Sequence, residues 1–359
     1  MANAPTDRIP LHTVILPVLG LGAWLLIGKA GLGPVALALA ALLLGNVIAA
    51  VHHAEVVALR VGEPFGTLVL ALSVTVIEAG LIISMMLSGE PQPTLLRDSL
   101  QAVVMLVLHG LAGLCIVVGA FRQRESLFQV QGAQALLAVL IPMAVLVLVL
   151  PNYVVSAPGA FYTPLQLDFV SAACVALYIA FLFIQTNWHQ GYFRPVGMEG
   201  RPEHDRPTGW LALASLGLLL LALLSVVLLA KSLAPALDEG VEAAGAPHAI
   251  VGVLIAAIVL LPETAAAVRA AARNQLQASI NLALGSGVAS IGLTVPAVAF
   301  VSTWVGQPLE LGISQGASVL MALGFLVAVI TYGTGRTNLL SGIVHLVLLS
   351  TYVFTIFVP

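Results

Sequence analysis

Two glutamates stand where a charge is expensive. Glu78 is the only charged residue in "GTLVLALSVTVIEAGLIISMM", residues 66–86, and Glu263 lies in the equally apolar "IVLLPETAA". A carboxylate in an apolar span must be neutralised by a proton or a cation, so such residues are functional by default. Burial disfavours the charged form, a second nearby carboxylate disfavours it further, and a bound cation does the opposite. Protons and cation then compete for the same oxygens. A site of that kind crosses a membrane loaded with one or the other, but not bare, which is the physical core of an antiporter. The structural alternative is two protonated glutamates hydrogen-bonded to neighbouring helices.

Other residues of the right type lie close in sequence. Pro262 removes a backbone donor and clashes with the carbonyl of Ile258. It either unwinds its helix where a cavity is lined, adding oxygen ligands, or merely kinks it. Ser73 and Thr75 precede Glu78, and their hydroxyls either join the site or bond back to their own helix. In "SINLALGSGVASIGLTVP", Asn281, Ser286 and Ser290 share one broad helical face, with Gly285 and Gly287 between them. They read as site oxygens or as small-residue helix packing. The matching first-half positions, Met105, Gly110 and Leu114, offer no side-chain oxygen, but His109 stands beside them. His109 reads as a proton carrier or an inter-helix hydrogen bond, and His345 as structural. His52, His53, Glu55 and Glu63 form either a cation or proton antechamber or an ordinary solvated helix end. In "TYGTGRTNLLSG", Arg336 is expected to lock a helix terminus.

The elements that must carry these residues follow from composition. The 359 residues are 60% hydrophobic and 8% charged, too few charges to cover a large soluble protein. Apolar runs of spanning length recur from end to end, whereas the short alternating segments of a β-barrel are absent. The reading is an all-α polytopic membrane protein of about eleven transmembrane helices of roughly 20 residues. Expected spans are 11–28, 34–57, 64–88, 97–121, 131–150, 163–187, 208–230, 247–271, 274–301, 309–331 and 338–358. The net charge of −3 suggests no nucleic-acid partner, and Cys115 and Cys174 lie in apolar runs as packing residues.

Lys and Arg set the orientation. Arg8, Arg60, Arg122, Arg124, Arg194, Arg201, Arg206, Arg269, Arg273 and Arg336 fall in one set of loops, against Lys29, Arg97 and Lys231 in the other. That bias places the N-terminus and the 188–207 linker in the cytoplasm and the C-terminus periplasmic or extracellular, in an inner (plasma) membrane. The chain also repeats. "RDSLQAVVMLVL" from Arg97 and "RNQLQASINLAL" from Arg273 align without a gap, and each follows a helix with one buried glutamate. The topology sends the Glu78 helix outward and the Glu263 helix inward. The longest polar break, residues 187–210, splits the chain into a six-helix and a five-helix part, and the two halves are inverted. Inverted repeats are characteristic of secondary transporters, with substrate bound near the midplane.

"GEPFGTLVLALSVTVIEAGLI", "LLPETAAAVRAAARNQLQASINLALGSGVASIGLTVP" and "TYGTGRTNLLSG" resemble the calcium/cation antiporter superfamily, in its proton-coupled branch, over nearly the whole chain. The resemblance is greatest to ChaA-type calcium, sodium and potassium:proton antiporters of bacteria. It implies a fold of an extra N-terminal helix (1–30) and two inverted five-helix repeats (31–187 and 208–359) joined by the 188–207 linker, that Glu78 and Glu263 bind the transported cation, and that Asn281, Ser286 and Ser290 line the site. The chain departs from the superfamily in its linker, which keeps only Glu199, Glu203 and Asp205 as acids, and in the missing Asn and Ser oxygens of the first repeat. The expected activity is export of Ca2+ in exchange for H+, without a cofactor and without enzymatic chemistry, since no HExxH motif occurs. Calcium takes about six to eight oxygens. A sparser shell suits Na+/H+ or K+/H+ exchange, and a cation channel is the remaining alternative.

Overall fold

The structure, a computed structural model, describes residues 9–28, 31–62, 65–87, 92–193 and 207–358. Eleven helices occupy these residues: α1 (Leu11–Ile27), α2 (Pro34–Val61), α3 (Phe65–Met86), α4 (Leu95–Gln123), α5 (Val130–Asn152), α6 (Pro164–Trp188), α7 (Gly209–Ala243), α8 (Ala249–Ala272), α9 (Leu276–Val305), α10 (Gln315–Tyr332) and α11 (Leu339–Phe357). Ten are long and apolar enough to cross a membrane, and α1, with 17 residues, is the shorter one. Glu63 and the linker acids Glu199, Glu203 and Asp205 lie outside the described residues.

Two elements differ from the sequence reading for physical reasons. Helix α7 continues to Ala243 instead of stopping at 230. Lys231, Pro235, Asp238 and Glu239 look like an exit from the apolar span, but the acids are tied down and the helix propagates past them. Asp238 Oδ1 accepts from Gln92 Nε2 at 3.2 Å, and Glu239 Oε2 accepts from the Leu32 amide at 3.0 Å. With 35 residues, α7 is about 52 Å long, well beyond a hydrocarbon core of about 30 Å. Helix α10 starts late, at Gln315, because the chain before it is bound in extended form. Glu310, Leu311 and Ile313 donate their amides to the carbonyls of Pro93, Ala160 and Leu148 at 2.8–3.1 Å. Arg97 pins this segment by pairing with Glu310 at 2.7 Å while also holding Asp98 at 2.9 Å.

A short antiparallel ribbon joins β1 (Glu125–Leu127) to β2 (Arg336–Asn338), with Ser126 opposite Thr337. It accounts for "TYGTGRTNLLSG". Gly335 turns at φ 72°, β2 follows, and Asn338 caps α11 by accepting from the Ser341 amide at 3.2 Å. Arg336 is exposed in the strand, so the terminus is locked by Asn338 and not, as expected, by Arg336.

The chain forms two compact units, each drawing on both halves of the sequence. The first contains α1, α2, α3 and α7. Its helices are joined by Asn46 Nδ2 donating to the Leu16 carbonyl (3.2 Å), by His53 Nε2 against the Thr13 carbonyl (3.2 Å) and by Ser84 Oγ donating to the Val227 carbonyl (3.1 Å). The second contains α4–α6 and α8–α11. Here α4, α5, α6 and α9 each contain a π-turn, at Leu106–Leu111, Val145–Val149, Ile184–Trp188 and Ser290–Thr294. Each extra residue rotates the side chains beyond it, so one helix presents two different faces along its length.

Backbone approach through glycine fixes α4 on α11. A Cβ on Gly342 would lie 2.7 Å from Val117 Cγ2, 3.0 Å from the Val117 amide nitrogen and 3.1 Å from the Gly113 oxygen. Two of those neighbours are backbone and cannot yield cheaply. Gly342→Ala is expected to cost about 1–3 kcal/mol through overpacking and to lower the thermal midpoint in detergent. Gly285→Ala, which would meet nothing within 4 Å, is expected to leave it unchanged. Equal midpoints for the two variants would remove the close α4–α11 contact from the fold.

Candidate functional site

Glu78 lies past the middle of α3, in the first unit, and is fully buried. One face of this stretch of α3 is packed tightly on α7: a Cβ on Gly80 would lie 2.6 Å from Val227 Cγ2. Ser73 donates its hydroxyl to the Val69 carbonyl at 2.7 Å, the back-bond within its own helix. Thr75 is buried.

Glu263 lies in the second unit, in the middle of α8, and is also buried. Pro262 does not unwind the helix, which runs unbroken through it. Thr264 next to it donates back to the Leu260 carbonyl at 2.7 Å. Contacts at both ends set α8 along α4. Gly252 abuts Asp98 and Ser99, and Arg122 Nη1 donates to the Ala272 carbonyl at 2.9 Å. The two helices therefore run in the same direction, and Glu263 falls at about the level of His109 and Gly110. Ser279 Oγ donates to the Ala267 carbonyl at 2.7 Å and sets α9, which returns after a short turn, against α8. That register puts Asn281 and Ser286 within about one helical turn of the Glu263 level, on either side of it.

The three α9 oxygens differ in their surroundings. Ser286 Oγ is buried and has no hydrogen-bond partner among the described residues. Ser290 is buried in the π-turn of α9. Asn281 has both amide atoms engaged: Oδ1 accepts from Gln277 Nε2 at 2.8 Å, and Nδ2 donates to the Phe193 carbonyl at 2.6 Å. Gln277 was not singled out as a site residue, although it was visible as the glutamine shared with Gln101 in the internal repeat. It also accepts from the Gln129 amide at 2.6 Å.

The histidines separate into two groups. His53 is buried and turned toward the Thr13 carbonyl, whereas Glu55, two residues on, is exposed, so the two do not converge. His109 and His345 do converge. Both are fully buried, their Nδ1 atoms are 2.8 Å apart, and His345 Nε2 lies 3.1 Å from Thr331 Oγ1. Only one proton fits between the two Nδ1 atoms, so one imidazole donates and the other accepts. Gly324 leaves room for the far edge of the His109 ring, where a Cβ would collide with Nε2. Among the described residues no group of three or more His, Cys, Asp or Glu could hold a metal ion.

A polytopic helical protein with one buried glutamate at mid-helix in each half is an ion-carrying membrane protein by class. The chain belongs to the sodium/calcium exchanger protein family, whose pattern matches residues 32–187 and 214–358. It is 46% identical over 321 residues to the putative ionic transporter y4hA of Sinorhizobium fredii, covering 89% of this chain and 88% of that one. It is 34% identical over 368 residues to the sodium-potassium/proton antiporter ChaA of Escherichia coli, covering 99% and 100%. Its fold matches the crystal structure of the H+/Ca2+ exchanger CAX with a TM-score of 0.72 at 15% identity, over 96% of this chain and 87% of that one.

The histidine pair gives a prediction. His345→Leu leaves His109 Nδ1 and Thr331 Oγ1 without their partner in a buried place, at a cost of about 1–3 kcal/mol. The thermal midpoint is expected to drop while exchange activity persists below it. Lost activity with an unchanged midpoint would instead make the pair a proton carrier.

Proposed function

We propose that this protein is a secondary cation:proton antiporter that exports Ca2+ in exchange for H+, and that Glu78 and Glu263 are the carboxylates that hold the ion and the protons. The observation that carries this reading is the burial of both carboxylates at mid-helix in a chain with only 8% charged residues. A buried carboxylate binds a cation when ionised and is tolerated when protonated, so each exchanges one charge for the other. The unpartnered hydroxyl of Ser286 and the buried Ser290 are the neutral oxygens best suited to join Glu263.

With eleven crossings the third and eighth helices traverse the bilayer in opposite senses, which supports an inverted relation between the two halves. The two segments matched by the family pattern, 32–187 and 214–358, are consistent with repeats separated by the linker. The arginine-rich loops support an N-terminus and linker on the cytoplasmic side of the inner membrane.

A second reading, Na+/H+ or K+/H+ exchange, is favoured by the full-length similarity to a relative named as a sodium-potassium/proton antiporter. Ser73, whose hydroxyl is committed to its own helix, leaves the first half poor in neutral ligands, as a monovalent ion tolerates.

Glu78→Gln and Glu263→Gln are each expected to abolish exchange in proteoliposomes while the protein still elutes as a single species. The amide keeps the shape but neither carries a negative charge nor exchanges a proton at neutral pH. Appreciable cation-driven proton flux in either variant would remove that residue from the mechanism.

Competition also dictates a pH dependence. Apparent cation affinity must weaken as pH falls, because protonation of the carboxylates removes the ligand. Two protons displaced per Ca2+ give a loss of up to about a hundredfold per pH unit, and one proton per monovalent ion at most about tenfold. Calorimetry between about pH 6 and 9, in buffers of different ionisation enthalpy, reads the released protons directly and separates the two readings. Binding without proton release anywhere in that range would contradict both.

A further inference from the structure

The segment Gln190–Phe193, which follows α6, is a single 3-10 turn with no buried side chain of its own. It is nevertheless seated by specific contacts within the second unit. Phe193 offers its carbonyl to Asn281 Nδ2 at 2.6 Å, and Tyr192 offers its carbonyl to Gln277 Nε2 at 3.5 Å. The Tyr192 carbonyl also fills a notch on α5 that exists only because residue 132 is glycine: a Cβ there would collide with that oxygen and lie 3.1 Å from Gln277 Nε2. Gln277 completes the seat by accepting from the Gln129 amide at the start of α5. One short turn thus bridges α5 and α9, close along α9 to the level of Glu263. The Phe193 ring rests edge-on against Phe181 of α6, with 5.8 Å between centroids, and otherwise the turn is held by hydrogen bonds and shape. A short turn with no buried side chain opens at lower free energy than a packed core helix, which suits an element that docks in one state and leaves in another.

We propose that Gln190–Phe193 is a strap that brakes the exchanger by clamping α5 to α9, and that Asn281 is its anchor, a positioning residue and not a ligand of the transported cation. The inference rests on the antiporter reading above. Both amide atoms of Asn281 are already used, Oδ1 by Gln277 and Nδ2 by the strap. The docked strap restrains the two helices in this packing, so transport requires its release.

Three variants separate an anchor from a ligand. Asn281→Ala removes donor and acceptor together. Asn281→Asp keeps an oxygen, a better cation ligand than the amide, but loses the donor to Phe193. Gly132→Ala leaves Asn281 intact and expels the Tyr192 carbonyl from its notch. All three are expected to raise hydrogen–deuterium exchange of the 189–193 amides. They should also raise the maximum rate of cation:proton exchange by about fivefold, the change that one lost hydrogen bond makes in an equilibrium constant. Apparent cation affinity should stay within about twofold of the parent protein. A ligand role gives the opposite pattern: weaker affinity in Asn281→Ala, retained or tighter affinity in Asn281→Asp, and no effect of Gly132→Ala. That pattern, or unchanged exchange of the 189–193 amides in Gly132→Ala, would overturn the strap. A parent protein that carries no proton-coupled cation flux would defeat the antiporter reading instead, and the amide exchange would still report on the docking.

Discussion

The constraint on which the rest depends is that a polar group inside an apolar span must be matched. Glu78 and Glu263 make the largest demand, because neither is tolerated as a bare charge. Several lesser demands are met by nearby carbonyls and side chains. Ser73 and Thr264 bond back to carbonyls one turn earlier, and Ser279 bonds across to α8. His109 is answered by His345, which in turn meets Thr331. Arg97 pairs with Asp98 and Glu310 at the start of α4 and in the loop before α10, away from mid-span. Other buried hydroxyls, among them Ser286, Ser215 and Ser225, have no hydrogen-bond partner among the described residues, and in the proposed antiporter the two mid-helix carboxylates handle the ion.

Helix packing serves the same end through both hydrogen bonds and glycine contacts in each unit. In the first, the seals are side-chain hydrogen bonds to carbonyls of neighbouring helices and a 35-residue α7 whose acids fasten loop residues. In the second, glycines bring backbones together, at Gly113 and Gly342 between α4 and α11 and at Gly252 against the start of α4. Small residues are the usual basis of close helix contact in lipid, where apolar surface alone gives no drive for association. Four π-turns in this unit shift side-chain faces along continuous helices, one of them carrying His109 and another Ser290.

Helix number and placement were legible in the sequence because spanning length and hydropathy are one-dimensional properties. The end of α7 was not, since Pro235 and the acids around it look like a boundary until Gln92 and the Leu32 amide are seen to fasten them. The burial of the two glutamates was legible for the same reason as the spans: each is a lone charge in an apolar run. The surroundings of the α9 serines and asparagine were only half legible. Spacing placed Asn281, Ser286 and Ser290 on one face, but whether each hydroxyl or amide is engaged depends on partners distant in the chain. Phe193 lies 88 positions from Asn281. His109 and His345, 236 positions apart, were each visible, but their contact was not. The ribbon of β1 and β2 was invisible, because three residues per strand give no alternating pattern to read.

The most direct test of the account is flux in proteoliposomes under an imposed pH gradient, with Ca2+, Na+ and K+ tried separately and no other energy source. The account predicts that the gradient drives a cation against its own concentration gradient, with protons moving the opposite way, and that Ca2+ is accepted. Cation movement that only dissipates its own gradient, at a rate indifferent to the pH difference, would contradict it and indicate a channel.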